Sequence, residues 1–179
     1  NAHEIKVKNI NPYLIEGENI IILKKNKPIS DVPEMYKGSQ PTDGGNLLMN
    51  DEEKNELVKL EPIAAKYIKP FLSAREFLNN EKRWCLWLVK ITPDELKKMP
   101  HVLKRVDAVK KMRLASTKSA TIKWADFPTL FSENRQPDAN YILLPRHSSE
   151  NRKYIPFGFY TPDYIIGDSC SSIPDADHY

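Results

Sequence analysis

The sequence is poor in the residues on which several protein classes depend. Its 179 residues include two cysteines, too few for a disulfide framework. Its longest apolar run, Trp84 to Val89, is much shorter than the ~20 residues of a membrane-spanning helix. We therefore expect a reduced, cytoplasmic protein without a membrane span. Cys85, inside Trp-Cys-Leu-Trp, is expected to be a buried thiol. A disulfide between Cys85 and Cys170 is the alternative.

Motifs for catalysis and for metal binding are also missing. The four histidines are scattered, and no pair has ligand spacing with a Cys or a carboxylate, so we predict no metal site. Ser148 and Ser149 stand beside His147 and Glu150, but neighbours in sequence rarely converge on one reacting atom. No Gly-x-Ser-x-Gly elbow exists. An independent small hydrolase is therefore the weakest hypothesis, and we assign no catalytic residue.

Half of the six glycines lie in one stretch, GSQPTDGGNLLM, from Gly38 to Met49. A nucleotide-binding P-loop does not fit, because no Lys follows until Lys54, and Gly-x-Gly-x-x-Gly is absent. The sequence instead predicts a tight turn with positive φ ahead of a helix. Backbone N–H groups of such a turn could also hold an anion. The residues of this signature are Gly38, Pro41, Thr42, Asp43, Gly44 and Gly45.

Helical patterns occupy the middle of the chain and strand patterns mainly its ends, which predicts an α+β fold. We expect a single mixed domain with central helices and short antiparallel or mixed strands. Helices are predicted after a cap at Asn50 or Asp51, at Ala64–Ile68, and from Ser73, Thr92 and Pro100, the last with helical spacing from His101 to about Ala115. Strands are predicted at Glu18–Lys25, Arg83–Lys90, Tyr141–Leu144, Tyr154–Tyr160, Tyr164–Ile166 and Ser169–Ile173.

Positive charge is concentrated in one part of the chain. The net charge is only +3, yet residues 97–123 contain nine Lys or Arg and one acidic residue, Asp107. The predicted helix from His101 is therefore amphipathic and basic. Such a surface can bind DNA phosphates, and an acidic protein partner is the alternative: a non-catalytic scaffold domain.

Four segments in order resemble the target recognition domain of the MmeI-like restriction–modification enzymes and related adenine-specific DNA methyltransferases. They are GSQPTDGGNLLM (38–49), RWCLW (83–87), the stretch from Ala125 to Phe131, and LLPRHSSENRKYIPFGF (143–159). The similarity runs from about Asn9 to the end of the chain. The resemblance implies that residues 1–179 are one target recognition domain that binds double-stranded DNA.

In that family a nuclease and a methyltransferase domain precede this domain in the same polypeptide. The resemblance therefore implies S-adenosylmethionine as the cofactor of a catalytic domain, with no cofactor in this chain. The family's catalytic Asn-Pro-Pro-Tyr/Phe is absent, since Asn11-Pro12 is followed by Tyr13-Leu14. We expect the chain to be a piece of a longer protein, and we leave Asn1 and Ala2 out of the interpretation.

Three groups of residues are predicted to contact DNA. The loop after Leu144 is rich in donors and acceptors, and it is the first choice; internal pairing of Glu150 with Arg152 is the alternative. The cations of the basic helix would face phosphates, and a short polar turn with Ser132 would reach bases. In order, the groups are Arg146, His147, Ser148, Ser149, Glu150, Asn151 and Arg152; Lys104, Arg105, Lys110, Lys111, Arg113 and Lys118; and Asn134, Arg135 and Gln136.

Two further expectations concern the tryptophans and the signature. Trp84 and Trp87 are expected in the core, which leaves Trp124 as the one indole that could stack on a base. The Pro41–Gly45 turn is expected to brace the joint between the recognition and catalytic domains. Ser39, Thr42 or the backbone N–H groups of the turn could then also reach DNA.

Overall fold

The structure, a computed structural model, describes residues 4–25 and 27–175. The chain divides into two compact units, Asn1–Val32 and Pro33–Tyr179. The assignment of the whole chain to one recognition domain stays a prediction.

The first unit is built around a turn at Asn11. The Asn11 side-chain oxygen accepts hydrogen bonds from the backbone N–H groups of Tyr13 and Ile15, and Ile10 forms an antiparallel bridge with Glu16. The strand predicted at Glu18–Lys25 is wrong, because this segment pairs with no strand in the described part of the chain. A β-strand needs a neighbour for its backbone groups, and strand propensity alone does not supply one.

The second unit is α+β, as predicted. It has two four-stranded sheets, and its helices lie between strands along the chain. The strands are β1 (Tyr36–Lys37), β2 (Leu48–Met49), β3 (Ile68–Leu72), β4 (Trp84–Leu86), β5 (Tyr141–Pro145), β6 (Gly158–Tyr160), β7 (Ile165–Ile166) and β8 (Cys170–Pro174). The helices are α1 (Asp51–Leu60), α2 (Ala74–Asn79), α3 (Pro93–Lys97), α4 (Pro100–Leu114) and α5 (Ser119–Lys123), with 3-10 turns at Pro62–Tyr67 and Trp124–Asp126.

The first sheet has the order β1-β8-β5-β6, and all its pairs are antiparallel. The second has the order β2-β4-β3-β7, in which β3 and β7 run parallel. The sequence therefore predicts the type of fold correctly, while two of the predicted strands are shorter than expected. Of the predicted strand Arg83–Lys90, Trp84–Leu86 forms a β-strand, and of the predicted strand Tyr154–Tyr160, Gly158–Tyr160 does.

Local capping explains where the helices begin. Asn50, Ser73 and Thr92 each form a capping box with the Glu three residues later, which confirms the predicted starts of α1, α2 and α3. Helix α4 is capped differently: the buried carboxylate of Glu61 accepts the backbone N–H groups of His101, at 2.6 Å, and Val102, at 3.2 Å. The carboxylate also complements the helix dipole at this end.

The main core lies between the second sheet and the helices. The α4 residues Val102, Val106 and Val109 are buried in it together with Leu86 and Met99. Trp84 and Trp87 pack half-buried against this core, as expected. A smaller cluster under the first sheet contains Tyr141, Leu143, Ile166 and Cys170. Both cysteines are buried and free, so no disulfide joins them.

Candidate nucleic-acid interface

The predicted turn in the glycine-rich signature is present at Pro41–Gly45, and we call this segment the signature turn. Gly44 and Gly45 have φ angles of +62° and +82°, and Thr42 has +42°. The buried Asp43 carboxylate accepts the Leu47 N–H at 2.6 Å, and the Asp43 carbonyl accepts the Asn46 side-chain amide at 2.9 Å. Asp43 therefore closes the turn on itself and directs the chain into β2.

Arg113 fastens the signature turn to the C-terminal half of α4. Its guanidinium is fully buried, and its five N–H groups have five carbonyl acceptors at 2.8–2.9 Å. Burial lowers the pKa of Arg113, and the nearby Asp43 carboxylate opposes that shift. The acceptors are the carbonyl oxygens of Pro41, Thr42, Trp124, Phe127 and Leu130.

The prediction that Arg113 faces DNA phosphates is therefore wrong. All of the donors of its side chain are used inside the protein, and none is left for an external anion. A signal for this role was present in the sequence. Arg113 lies four residues after Val109 and seven after Val106, which places it on the apolar stripe of α4 rather than on the charged side.

The other cations on and just after α4 differ in their exposure to solvent. Lys104, Lys110 and Lys111 are exposed, as is Lys118 beyond the helix. Arg105 is half-buried instead, and donates to the Asn46 carbonyl at 3.1 Å and to the Glu53 carboxylate at 3.0 Å. The most freely exposed charge therefore lies towards the C-terminal end of α4.

The pairing with Arg105 is reflected in the protonation of its partner. Partial burial by itself would raise the pKa of Glu53, but the Asn50 N–H and the Arg105 guanidinium outweigh it, so the pKa lies below its usual value. Glu53 therefore stays charged at neutral pH and offsets the positive charge of Arg105. This α1 carboxylate makes the N-terminal part of α4 a weaker anion site than the sequence suggests.

The loop Arg146–Arg152 is exposed along its whole length. It leaves β5 at a fixed point, because the Arg146 N–H donates to the Ser169 carbonyl at 2.9 Å and the Arg146 guanidinium donates to the Asp168 carbonyl at 3.2 Å. Ser149 accepts the N–H groups of Asn151 and Arg152 and forms a turn at the far side. Within the described residues, no ion pair joins Glu150 to Arg152. The loop thus offers its polar side chains to solvent.

In the polar turn after Phe131, Arg135 is exposed and Gln136 is bound within the fold. Arg135 is exposed and pairs with Glu133 at 3.2 Å, and the Asn134 side-chain oxygen accepts the Gln136 N–H. The side chain of Gln136 is used within the fold: its oxygen accepts the Ile166 N–H at 2.9 Å, and its nitrogen donates to the Tyr164 carbonyl at 3.0 Å. Gln136 therefore holds the polar turn against β7 and is poorly placed to read a base, contrary to expectation.

The hydroxyl groups of the signature are also used internally. The buried Ser39 oxygen accepts the Arg135 N–H at 3.0 Å, and Thr42 shares a 2.7 Å hydrogen bond with Ser132. Gly38 is required by close packing, since a Cβ there would lie 2.2 Å from the Gly167 carbonyl oxygen. Ser39 and Thr42 are thus not free to reach DNA, and their role is to position the turn that carries Arg135.

Trp124 and the possibility of a metal or membrane site complete the description of the interface. Trp124 is half-buried and packs edge-on against Phe127, with ring centroids 5.9 Å apart. Among residues 4–25 and 27–175, no three His, Cys, Asp or Glu side chains are grouped so that they could hold a metal ion. No helix in this part of the chain has the length and apolar character needed to cross a membrane.

Comparison with known proteins agrees with these features. The sequence model of the family described as "MmeI, target recognition domain" matches residues 16–179. DNA methyltransferase A of Bacillus subtilis (strain 168) is 38% identical over 173 residues, which is 97% of this chain and 20% of that protein. The solved structure of the Type IIL restriction–modification enzyme MmeI in complex with DNA is similar with a TM-score of 0.88 and 44% identity, over 97% of this chain and 23% of that one.

The fold defines a small α+β domain with exposed basic segments. The chain belongs to the MmeI target recognition domain family. It spans about a fifth of the length of the relatives that it matches.

Proposed function

We propose that this chain is the DNA sequence recognition module of an S-adenosylmethionine-dependent, adenine-specific DNA methyltransferase or a fused restriction–modification enzyme. The observation that carries the proposal is the similarity, at 44% identity and a TM-score of 0.88, to an enzyme solved in complex with DNA. The exposed loop Arg146–Arg152 and the exposed lysines of α4 are surfaces of the kind that duplex DNA requires.

The module would act together with a methyltransferase domain of the same polypeptide. That domain would hold S-adenosylmethionine and transfer the methyl group, since Asn-Pro-Pro-Tyr/Phe is missing from these 179 residues. Rotating a base out of the duplex costs a few kcal/mol, and a separate domain that grips the flanking DNA can offset this cost. We place the enzyme in the cytoplasm, where it would meet its DNA substrate.

The module would bind DNA through two kinds of contact, to phosphates and to base edges. Lys104, Lys110, Lys111 and Lys118 would hold phosphates and fix the position of the domain along the duplex. Arg146, Asn151, Arg152, Asn134 and Arg135 would reach base edges or nearby phosphates. A good bidentate contact to a base is worth roughly 1–3 kcal/mol against the wrong base, so two or three of them suffice for a defined site.

The experiment compares Arg146→Ala and Arg135→Ala in the intact enzyme, with Arg75→Ala as the control. Arg75 is an exposed arginine on α2, and among the described residues its ion pair is with Glu81 on the surface. Methylated adenines are mapped in DNA after reaction. We expect either assigned variant to lose or relax the preferred site by about 5- to 150-fold, which corresponds to roughly 1–3 kcal/mol.

The control should methylate the same site at the wild-type rate. If both assigned variants also do so, the assignment of Arg146 and Arg135 is incorrect. If the intact enzyme shows no DNA site preference at all, the domain serves an acidic partner or another role instead.

A further inference from the structure

A short apolar segment of the first unit, Ile20–Leu23, is exposed. We call it the isoleucine segment; its four side chains are 62–79% accessible to solvent. Single exposed apolar residues are common on proteins, but four in succession are not. Its sequence, Ile-Ile-Ile-Leu, has strong β-strand propensity, and both faces of such a strand would be apolar. That composition is typical of a strand covered on both sides.

Among the described residues, two of the four backbone N–H groups of the isoleucine segment have acceptors. The Ile20 N–H donates to the Glu18 carbonyl at 2.8 Å, and the Ile22 N–H donates to the Tyr13 hydroxyl at 2.7 Å. Within the described residues, the N–H groups of Ile21 and Leu23 have no hydrogen-bond acceptor. In a β-strand, the backbone groups of alternate residues point to opposite sides. Ile21 and Leu23 therefore share the side that is open for pairing.

Charged residues adjoin the isoleucine segment. Glu18 precedes it, and Lys24 and Lys25 follow it directly. Charges beside an apolar strand, lysine above all, discourage pairing with other molecules before the correct partner is reached. The arrangement fits a strand whose partner belongs to the same polypeptide.

The length of the relatives indicates where that partner lies. Both relatives match 97% of this chain but are four to five times longer, so most of each polypeptide lies outside the matched region. A partner in the same polypeptide is present at a high effective concentration and needs no second molecule. A sheet edge can accept an added strand through its backbone groups, with pockets for alternate side chains.

We propose that the isoleucine segment pairs, through the backbone groups of Ile21 and Leu23, with the edge of a β-sheet in the part of the same polypeptide outside these 179 residues. This proposal rests on the proposed function in one respect: it requires that these 179 residues belong to a longer enzyme. It makes this segment a contact by which the recognition module is attached to the rest of the enzyme, through residues other than those proposed to contact DNA.

The test is residue-resolved hydrogen exchange in the intact enzyme. We expect the amides of Ile21 and Leu23 to exchange at least about tenfold more slowly than unprotected amides, because strand pairing protects the N–H groups that it engages. A matched pair of proline variants then tests the predicted side. Proline is tolerated in an edge strand only where its N–H would face away from the ladder.

Ile21→Pro should therefore abolish the protection of Leu23, whereas Ile22→Pro should retain it, losing only the bond to Tyr13. Fast exchange of Ile21 and Leu23 in the wild-type enzyme would overturn the proposal, as would equal damage from the two prolines. Protection that falls when the protein is diluted would show pairing with a second copy and would also overturn it. Adenine methylation mapped on the same wild-type sample tests the proposed function separately.

Discussion

Replacing Arg113 should destabilise the domain far more than replacing any exposed cation of α4. Its fully buried guanidinium donates to five backbone carbonyls, which would lose their partner with the side chain. Arg113→Lys keeps the charge but has three donors instead of five, so at least two bonds are lost. At about 1–1.5 kcal/mol for each bond, the loss is roughly 2–3 kcal/mol.

Arg113→Met removes every donor and leaves five carbonyl oxygens without this partner, so we expect a loss of roughly 3–5 kcal/mol. Because a domain of this kind is stable by only about 5–15 kcal/mol, the Met variant should be close to unfolding. The assay is urea denaturation of the 179-residue chain followed by tryptophan fluorescence.

The control is Lys111→Met, which changes an exposed cation two residues away on the same helix. It should lie within about 0.5 kcal/mol of the wild type, as substitutions at exposed positions usually do. The reasoning is refuted if Arg113→Lys shows the same stability as Lys111→Met. Such a result would mean that the buried bonds of Arg113 contribute nothing net.

Three other predictions address the turn, the thiols and the basic helix. Gly44→Val should cost at least about 1–2 kcal/mol in the same assay and lower methylation by the intact enzyme, because Gly44 has φ +62° and a Cβ there would lie 3.1 Å from Met112. Burial raises the pKa of both thiols, that of Cys170 to about 12, so Cys85 and Cys170 should react slowly with a thiol reagent at pH 8 until urea is added. Since the folded pKa exceeds the ordinary value of 9.0, the neutral thiols favour folding below pH 9, and Cys170 loses that contribution as the pH rises towards 12. Lys110→Ala should weaken DNA binding by the intact enzyme for all sequences alike and reduce the salt dependence by about one unit.

The sequence predicts the starts of α1, α2 and α3 because their signals are local, whereas it gives no prediction of α5. Each of the capping residues Asn50, Ser73 and Thr92 acts on a backbone group three residues away, so the pattern and the structure contain the same information. The signature turn is predictable for the same reason. Its glycines are needed for positive φ, a property of the residue itself.

The errors arise where a side chain depends on distant backbone. Arg113 binds the carbonyls of Pro41 and Thr42, about seventy positions earlier in the chain, and composition around α4 gives no sign of them. Gln136 binds the backbone near Tyr164 in the same way. Because both side chains are polar, the sequence pattern alone treats both as surface residues. Only the place of Arg113 on the valine stripe distinguished it from the exposed lysines.

A different limit applies to the segment Glu18–Lys25. Its residues favour a strand, and the described structure provides no neighbour for pairing. Strand formation depends on a partner that local sequence does not specify. The residues predicted to contact DNA are subject to the same limit, since the bases that they would read belong to another molecule. For this reason Arg146 and Arg135 stay predictions.

The central claim is that these 179 residues select the DNA site that the enzyme methylates. The most direct measurement exchanges the corresponding segment of DNA methyltransferase A of Bacillus subtilis for this chain and maps the methylated adenines in DNA. The relative aligns over 97% of this chain at 38% identity, so the boundaries of the exchange are defined. We predict that the chimera methylates the site preferred by the enzyme from which this chain comes. A chimera that is active and keeps the site of the recipient enzyme would contradict the claim.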